Sequence, residues 1–286
     1  MIAQEIARMK RKMVDSIIKR STFFEQLKEQ MMSTQNLPYE NLGIQIPQIV
    51  SFEKTVSLIR ERKASLCRFG DGEFSLMLGK SIPFQQRNGN LQKLLKEALT
   101  CRSSNLLIGI PDVFSSLDFF SDSSKSFWRK YMTFNRYQLY EYLDFEYEYQ
   151  NAFISRPNNE FIYKSHEEIL DHFGILQGIW DNQDCVLVEG GKEGKSENNI
   201  FDNMKTVTKI VAPSRDAFGS YKEILSEIKK NDKSKLIIIS LGPTATILAY
   251  LLAQEGYQAI DIGHINKDYN QFLLGIRSGA EHGMRW

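Results

Sequence analysis

From Leu236 to Gln254 the chain reads LIIISLGPTATILAYLLAQ, nineteen residues without a charge. That length approaches a membrane span, but Gly242-Pro243 interrupts it in the middle. The residues before the break are β-branched and those after it are rich in Ala and Leu, so a buried strand, a tight turn and a buried helix account for the run. No transmembrane segment is expected. A buried strand feeding a buried helix is the repeating unit of a parallel sheet covered on both faces, and the rest of the chain repeats it.

Short apolar runs recur at Ser65–Phe69, Leu106–Pro111, Ala152–Ser155, Cys185–Glu189, Lys209–Ala212, Leu236–Leu241 and Ala259–Ile262. Between them lie stretches of helical period at 51–62, 90–101, 123–148, 165–180, 198–206, 219–230 and 244–255. This alternation predicts an α/β fold, a Rossmann-like and mostly parallel sheet flanked by helices. Such sheets bind ligands beyond the carboxyl ends of their strands, which directs attention to the residues after each run. A chain of 286 residues can bury a sizeable core, and 36 Lys+Arg against 35 Asp+Glu supply no global field for a nucleic-acid backbone. Nucleic acid is therefore not an expected partner. Cys67, Cys101 and Cys185 show no CxxC spacing and sit in or beside apolar runs, as expected of buried thiols in a reducing, cytoplasmic setting.

Residues 1–44 read separately from 45–286. Ile2, Ile6, Met9, Met13 and Ile17 share one helical face, and residues 1–20 carry six Lys/Arg against two Asp/Glu. An amphipathic N-terminal helix is expected. It suits packing against the domain, a second copy or a partner protein, or peripheral contact with the inner face of a membrane. Residues 32–44 read as a linker.

Four constellations could carry chemistry. Arg68-Phe69-Gly70-Asp71-Gly72-Glu73 follows the first run; in extended backbone Asp71 and Glu73 point the same way, and the glycines admit a ligand to the backbone. Paired carboxylates suit a hard cation, Mn²⁺ or Mg²⁺, that takes its other ligands from water and phosphate, and Arg68 is placed to pair with a phosphate or a carboxylate. Gly242-Pro243-Thr244 opens a helix whose first N–H groups form an anion site. Gly190 to Ser196 superficially suggests a phosphate loop, but three residues rather than four separate Gly190 from Gly194. His264 follows the last run and is placed to meet a metal or a phosphate, whereas His166, His172 and His282 read as structural or surface residues. The aromatic segment Phe127–Tyr149 reads as a helix packing its rings into the core.

In this order the blocks RFGDGEF (68–74), IGIPDVF (108–114), IWDNQDCVLVEG (179–190), IVAPSRDAF (210–218) and SLGPTATILAYLLAQEGYQAIDIGH (240–264), followed by INKDY, resemble the bacterial GT-D-type glycosyltransferases, a group first defined as a domain of unknown function. The resemblance spans roughly residues 50–275. It implies a metal-dependent transferase using a nucleotide-sugar, commonly a UDP-sugar such as UDP-glucose or UDP-galactose. The implied acceptors are a glycan, glycoprotein or lipid-linked intermediate of bacterial surface glycoconjugates, and a partner glycosyltransferase is an implied occupant for the N-terminal helix. By position it places Asp71 and Glu73 on the metal and diphosphate, with Gly70 beside them, and Gly242, Pro243 and Thr244 on the strand-to-helix turn. It places Glu189, Pro213 and Ser214 near the nucleotide and makes His264 a third metal or diphosphate contact. Asp112 and Asp216, which follow strands, are the candidate bases for an acceptor hydroxyl. Residues 192–201 depart from the family's Arg and Gly-rich pattern, so Lys192 or Lys195 stands where an arginine is usual. Two other readings share these groups: a metal-dependent nucleotide phosphohydrolase and a non-catalytic nucleotide-sugar-binding scaffold.

Overall fold

The computed structural model describes residues 45–158, 160, 165–191 and 199–275; the expected helix and linker of 1–44 lie outside them. The strands are β1 (Gln48–Ile49), β2 (Ser65–Arg68), β3 (Leu106–Ile110), β4 (Glu148–Asn151), β5 (Asp184–Gly190), β6 (Thr206–Ala212), β7 (Leu236–Ser240) and β8 (Ala259–Asp261). The helices are α1 (Phe52–Arg62), α2 (Asp71–Met77), α3 (Gly89–Thr100), α4 (Asp122–Tyr140), α5 (His166–Gln177), α6 (Tyr221–Ile228), α7 (Pro243–Gln254) and α8 (Ile265–Leu273). All eight strands join one sheet in the order β1-β4-β3-β2-β8-β7-β5-β6, and every recorded pairing is parallel. This is the expected α/β architecture.

Strand alternation divides the core in two. Cys67, Ile108, Val186, Val188, Ile237 and Ile239 face α2, α3, α4, α6 and α7 in one buried cluster. Leu66, Leu107, Cys185, Leu187, Ile238 and Ile260 face α1, α5 and α8 in the other. Each fully buried Leu or Ile contributes roughly 1.5–3 kcal/mol, so both faces hold the sheet. The charge-free run resolves as proposed, with β7 ending at Ser240 and Pro243 starting α7. Among the described residues no helix is long and apolar enough to cross a membrane.

Local corrections have local causes. The helix expected over 123–148 stops at Tyr140, and Glu148–Asn151 forms β4. Rings at Tyr147 and Tyr149 alternate with polar residues, a strand period that a count of aromatics obscures. Ala152–Ser155, expected as a strand, is a 3-10 turn capped where the Asn151 side chain accepts from the Phe153 N–H. Of the helix expected over 198–206, the described residues from 199 on show none. Residues 199–204 form turns, and β6 begins at Thr206 rather than Lys209. As an edge strand β6 leaves Val207, Lys209 and Val211 exposed and carries polar Thr206 and Thr208 on the side of Ile210 and Ala212, so its apolar run looks short. His172 is buried, hydrogen-bonded to the Ile154 carbonyl at 2.9 Å and stacked on Phe52, and His166 stacks on Phe272. Both are structural, as expected; His282 lies outside the described residues. Cys67 and Cys185 are buried, and none of the three thiols is in a disulfide.

Candidate active site

Chain order reverses between β2 and β8: β2, β3 and β4 step away to one side, while β5 to β7 lie on the other. A cleft of about 380 Å³ opens there at the carboxyl ends of the strands, where an open α/β sheet binds its ligands. Its floor comes from the end of β2, the start of α2 and the end of β8, and its walls from the 82–84 loop, Trp128, Phe153, Arg156 and the first turns of α8.

Asp71 and Glu73 both line this cleft, but the extended geometry expected of them is not found. They occupy the first turn of α2, where residues two apart diverge by about 200°. Gly70 is the N-cap, and Glu73 turns back so that its Oε2 accepts the Gly70 N–H at 2.7 Å. This is the glutamate half of a capping box. With glycine in place of Ser or Thr at the cap, Gly-Asp-Gly-Glu carries no helix-start signature, which is why α2 went unread. Burial, then the charge of Asp261, raises the Glu73 carboxyl to about 7. The Tyr131 hydroxyl donates to the Asp71 carbonyl at 3.1 Å and ties this turn to α4.

Arg68 holds a different place from a phosphate clamp. Its Nε donates to the Asp261 carbonyl (3.0 Å), and its Nη1 to the Ala152 carbonyl and Ser155 Oγ (both 2.7 Å). Its Nη2 lies 3.5 Å from Asp261 Oδ1. One side chain thus joins the ends of β2 and β8 to the turn after β4. Asp261 also accepts from Thr246 Oγ1 and the Gly263 N–H, each at 3.0 Å. Burial raises its carboxyl above the usual carboxylate range, opposed foremost by Arg68. Gly263 completes the latch: its φ is +58°, and a Cβ there would lie 2.1 Å from Arg68 Nη2. Ser240 Oγ donates to the Gly263 carbonyl at 2.5 Å and carries the connection to β7.

His264 begins α8 and lines the cleft. Thin hydration, then the nearby cations Arg156, Arg68 and Lys267, push its imidazole down to about 4, so it is neutral at physiological pH. Among the described residues no three His, Cys, Asp or Glu side chains come together as a metal-binding group; neutral His264 lines the cleft beside Arg156 and Lys267. Arg156 pairs with Glu160 at 3.4 Å and lies 3.9 Å from Asp268. Arg156, Lys267 and Trp128 are cleft residues that the sequence reading missed. Arg156 directly follows the Ala152–Ser155 run, where the strand-end rule would have found it, and Lys267 sits in the block after Asp261–His264.

The remaining candidates divide between the cleft and its surroundings. Gly242 lines the cleft with φ +52°, while Pro243 and Thr244 are buried behind it. Glu189, Pro213 and Ser214 gather at the carboxyl ends of β5 and β6, outside the cleft lining, where a Cβ on Gly190 would lie 3.1 Å from the Ser214 Cα. Asp216 does not face the cleft; its Oδ1 accepts the Gln86 N–H at 2.6 Å and fastens the 82–86 loop. Asp112 directly follows the lining residue Pro111 without itself lining the cleft, and burial raises its carboxyl.

A family model described as glycosyltransferase GT-D fold matches residues 66–282. The chain belongs to the GT-D glycosyltransferase-fold family. It is 33% identical over 246 residues to "Probable glycosyl transferase Gly" of Streptococcus gordonii, covering 82% of this chain and 35% of the relative. It is also 33% identical over 243 residues to "Glycosyltransferase GlyD" of Streptococcus pneumoniae serotype 4, covering 82% of this chain and 29% of that one. The chain thus spans about a third of the length of these curated relatives. Among solved structures, one described as "A New Glycosyltransferase (DUF1792) from Streptococcus sanguinis" matches with TM-score 0.77 and 31% identity, over 83% of this chain and 91% of that chain. Another, described as "The highly conserved domain of unknown function 1792 has a distinct glycosyltransferase fold", gives TM-score 0.76 and 35% identity over 80% and 83%. The GT-D match embraces the whole cleft, from Arg68 to Gln271.

Proposed function

We propose that this chain transfers a sugar from a nucleotide-sugar donor, a UDP-sugar such as UDP-glucose or UDP-galactose, to a glycan, glycoprotein or lipid-linked acceptor, with Mn²⁺ or Mg²⁺ as cofactor. One observation carries the reading: in a GT-D chain, the acidic turn Asp71/Glu73 and the basic groups Arg156, His264 and Lys267 line the same cleft at the chain-order reversal. A hard cation commonly keeps one or two protein carboxylates and takes its other ligands from water and phosphate. The donor set fits that mode. Asp71 lines the cleft, and Glu73 has a second oxygen beyond the one capping Gly70. When bound there, such a cation supplies Lewis-acid stabilisation of the leaving diphosphate.

The protein groups act around that charge. Lys267 and Arg156 offer N–H donors to the diphosphate, and neutral His264 offers one hydrogen bond without drawing the carboxylates away. The Arg68–Asp261–Gly263 latch keeps the β2, β8 and β4 ends in register, so these donors are fixed before the substrate arrives. Of the two carboxylates considered for taking the proton of an acceptor hydroxyl, we retain Asp112, because Asp216 is committed to the 82–86 loop. The test is a panel of UDP-sugars incubated with the protein in Mn²⁺ or EDTA, reading UDP release and transfer to added sugars. Metal-dependent UDP release that Asp71→Asn removes supports the reading; release of inorganic phosphate instead would move the phosphohydrolase alternative ahead.

A further inference from the structure

Phe84 is a large apolar side chain left 40% exposed on a loop that lines the cleft. Single exposed hydrophobics are ordinary on protein surfaces, but this one is held in place from two directions. Asp216, from beyond β6, receives the loop twice: its N–H donates to the Phe84 carbonyl at 2.8 Å and its Oδ1 accepts the Gln86 N–H at 2.6 Å. Asp216 adopts a left-handed conformation there, with φ +49°. On the other side lies Gly242, also at positive φ, where a Cβ would come within 3.2 Å of the Phe84 ring. Asp216 thus fixes the backbone that carries the ring, and the glycine at 242 leaves the space beside the ring open. Among the described residues no aromatic group stacks on it.

Sheet order says what part of a ligand this ring meets. Gly242 follows β7, whereas Asp71 follows β2, Lys267 and His264 follow β8, and Arg156 follows β4. From β7 it is one strand spacing to β8 and two to β2, roughly 5 and 10 Å at ~4.8 Å each. The charged groups therefore lie on the β8, β2 and β4 side of Gly242, while the turn at Gly242 meets the Phe84 ring. A nucleoside diphosphate has the same division, with a flat apolar-faced base at one end and charge at the other. We infer that Phe84 is the platform on which the donor's nucleobase stacks. The inference rests on the proposed donor reading and deepens it. Stacking is tolerant of base identity because every base has a π-face, so Phe84 sets the placement of a nucleoside and leaves the choice among bases to other contacts.

Calorimetric titration of UDP and of inorganic pyrophosphate, each with Mg²⁺, into wild type, Phe84→Ala, Phe84→Leu and Phe84→Trp tests it. Thermal unfolding checks that each variant folds. Phe84→Ala and Phe84→Leu should weaken UDP binding, the alanine by roughly 5- to 100-fold. Phe84→Trp should retain it, and pyrophosphate affinity should not move. UDP binding unchanged in Phe84→Ala, or UDP and pyrophosphate weakened equally, overturns the stacking role while leaving the donor site standing. A wild type that binds no UDP overturns both.

Discussion

Two places on the same edge of the sheet can be set side by side: the ends of β2 and β8, and the ends of β5 and β6. Both are strand termini with glycines, and both fall within the residues that the GT-D family model matches. At β2 and β8 the charges are enclosed and committed. Arg68 is 14% exposed and Asp261 4%, and one guanidinium serves three segments of chain. At β5 and β6 the residues Pro213, Ser214, Arg215 and Asp216 are exposed, and the contacts at Gly190 are close backbone packing. The difference separates a preorganised electrostatic site from a rim that borders it. At the first place a residue's absence leaves a buried charge behind; at the second it leaves water.

That contrast predicts a graded series of effects. Arg68→Met should be the most damaging, about 3–5 kcal/mol by denaturant unfolding, since it strands Asp261 without its cation. A loss under about 1 kcal/mol would show that the latch is not what holds these strand ends. Gly263→Ala comes next, at about 2 kcal/mol or more, because its Cβ meets a guanidinium that three hydrogen bonds hold still, at a φ an L-residue rarely adopts. Restoration of stability in Gly263→Ala/Arg68→Lys, measured as a double-mutant cycle, would sharpen the assignment to that one contact. Asp216→Ala should cost about 1 kcal/mol through the Gln86 hydrogen bond. Ser214→Ala, on the rim, should stay within about 0.5 kcal/mol.

The two ionisable cleft residues with resolved values give opposite signs in pH. Glu73 is raised to about 7, so between about pH 4.5 and 7 the native state holds a proton that the unfolded chain has released, and stability falls as pH rises. His264 is lowered to about 4, so between about pH 4 and 6.5 the unfolded chain binds the proton and stability rises with pH. In Tm measured without divalent cations, Glu73→Gln should remove the first slope while keeping the cap, since Gln also serves at that position. An unchanged profile in the variant would contradict the enclosed setting of Glu73.

How much of this was legible beforehand follows from how local each cause is. Six of the seven expected strands, and the split of Leu236–Gln254, rest on residues whose own pattern decides them, and both were readable. Asp71, Glu73, Gly242 and His264 all line the cleft and stand just beyond strands, the positions that the strand-end rule singles out. The helical turn carrying Asp71 and Glu73 was hidden because a glycine takes the cap and the capping glutamate acts from three residues on. The contacts of Arg68 were hidden for a long-range reason: its partners Asp261, Ala152 and Ser155 are distant in sequence, and only the sheet order brings them to it. The contact of Asp216 with Gln86, across 130 positions, was hidden in the same way. Sequence position announced where charge gathers, but not which charges were already neutralised by one another.

The central claim is that the donor diphosphate binds at the β2–β8 end and not at the β5–β6 rim. The most direct measurement is UDP titration by calorimetry, with Mn²⁺ and with EDTA, in wild type, Asp71→Asn and Ser214→Ala. The account predicts binding that needs the cation, falls at least about tenfold in Asp71→Asn, a loss of about 1.4 kcal/mol, and changes by less than about threefold in Ser214→Ala. Binding that ignores cation and Asp71 but collapses in Ser214→Ala would place the nucleotide's phosphates on the rim and contradict it.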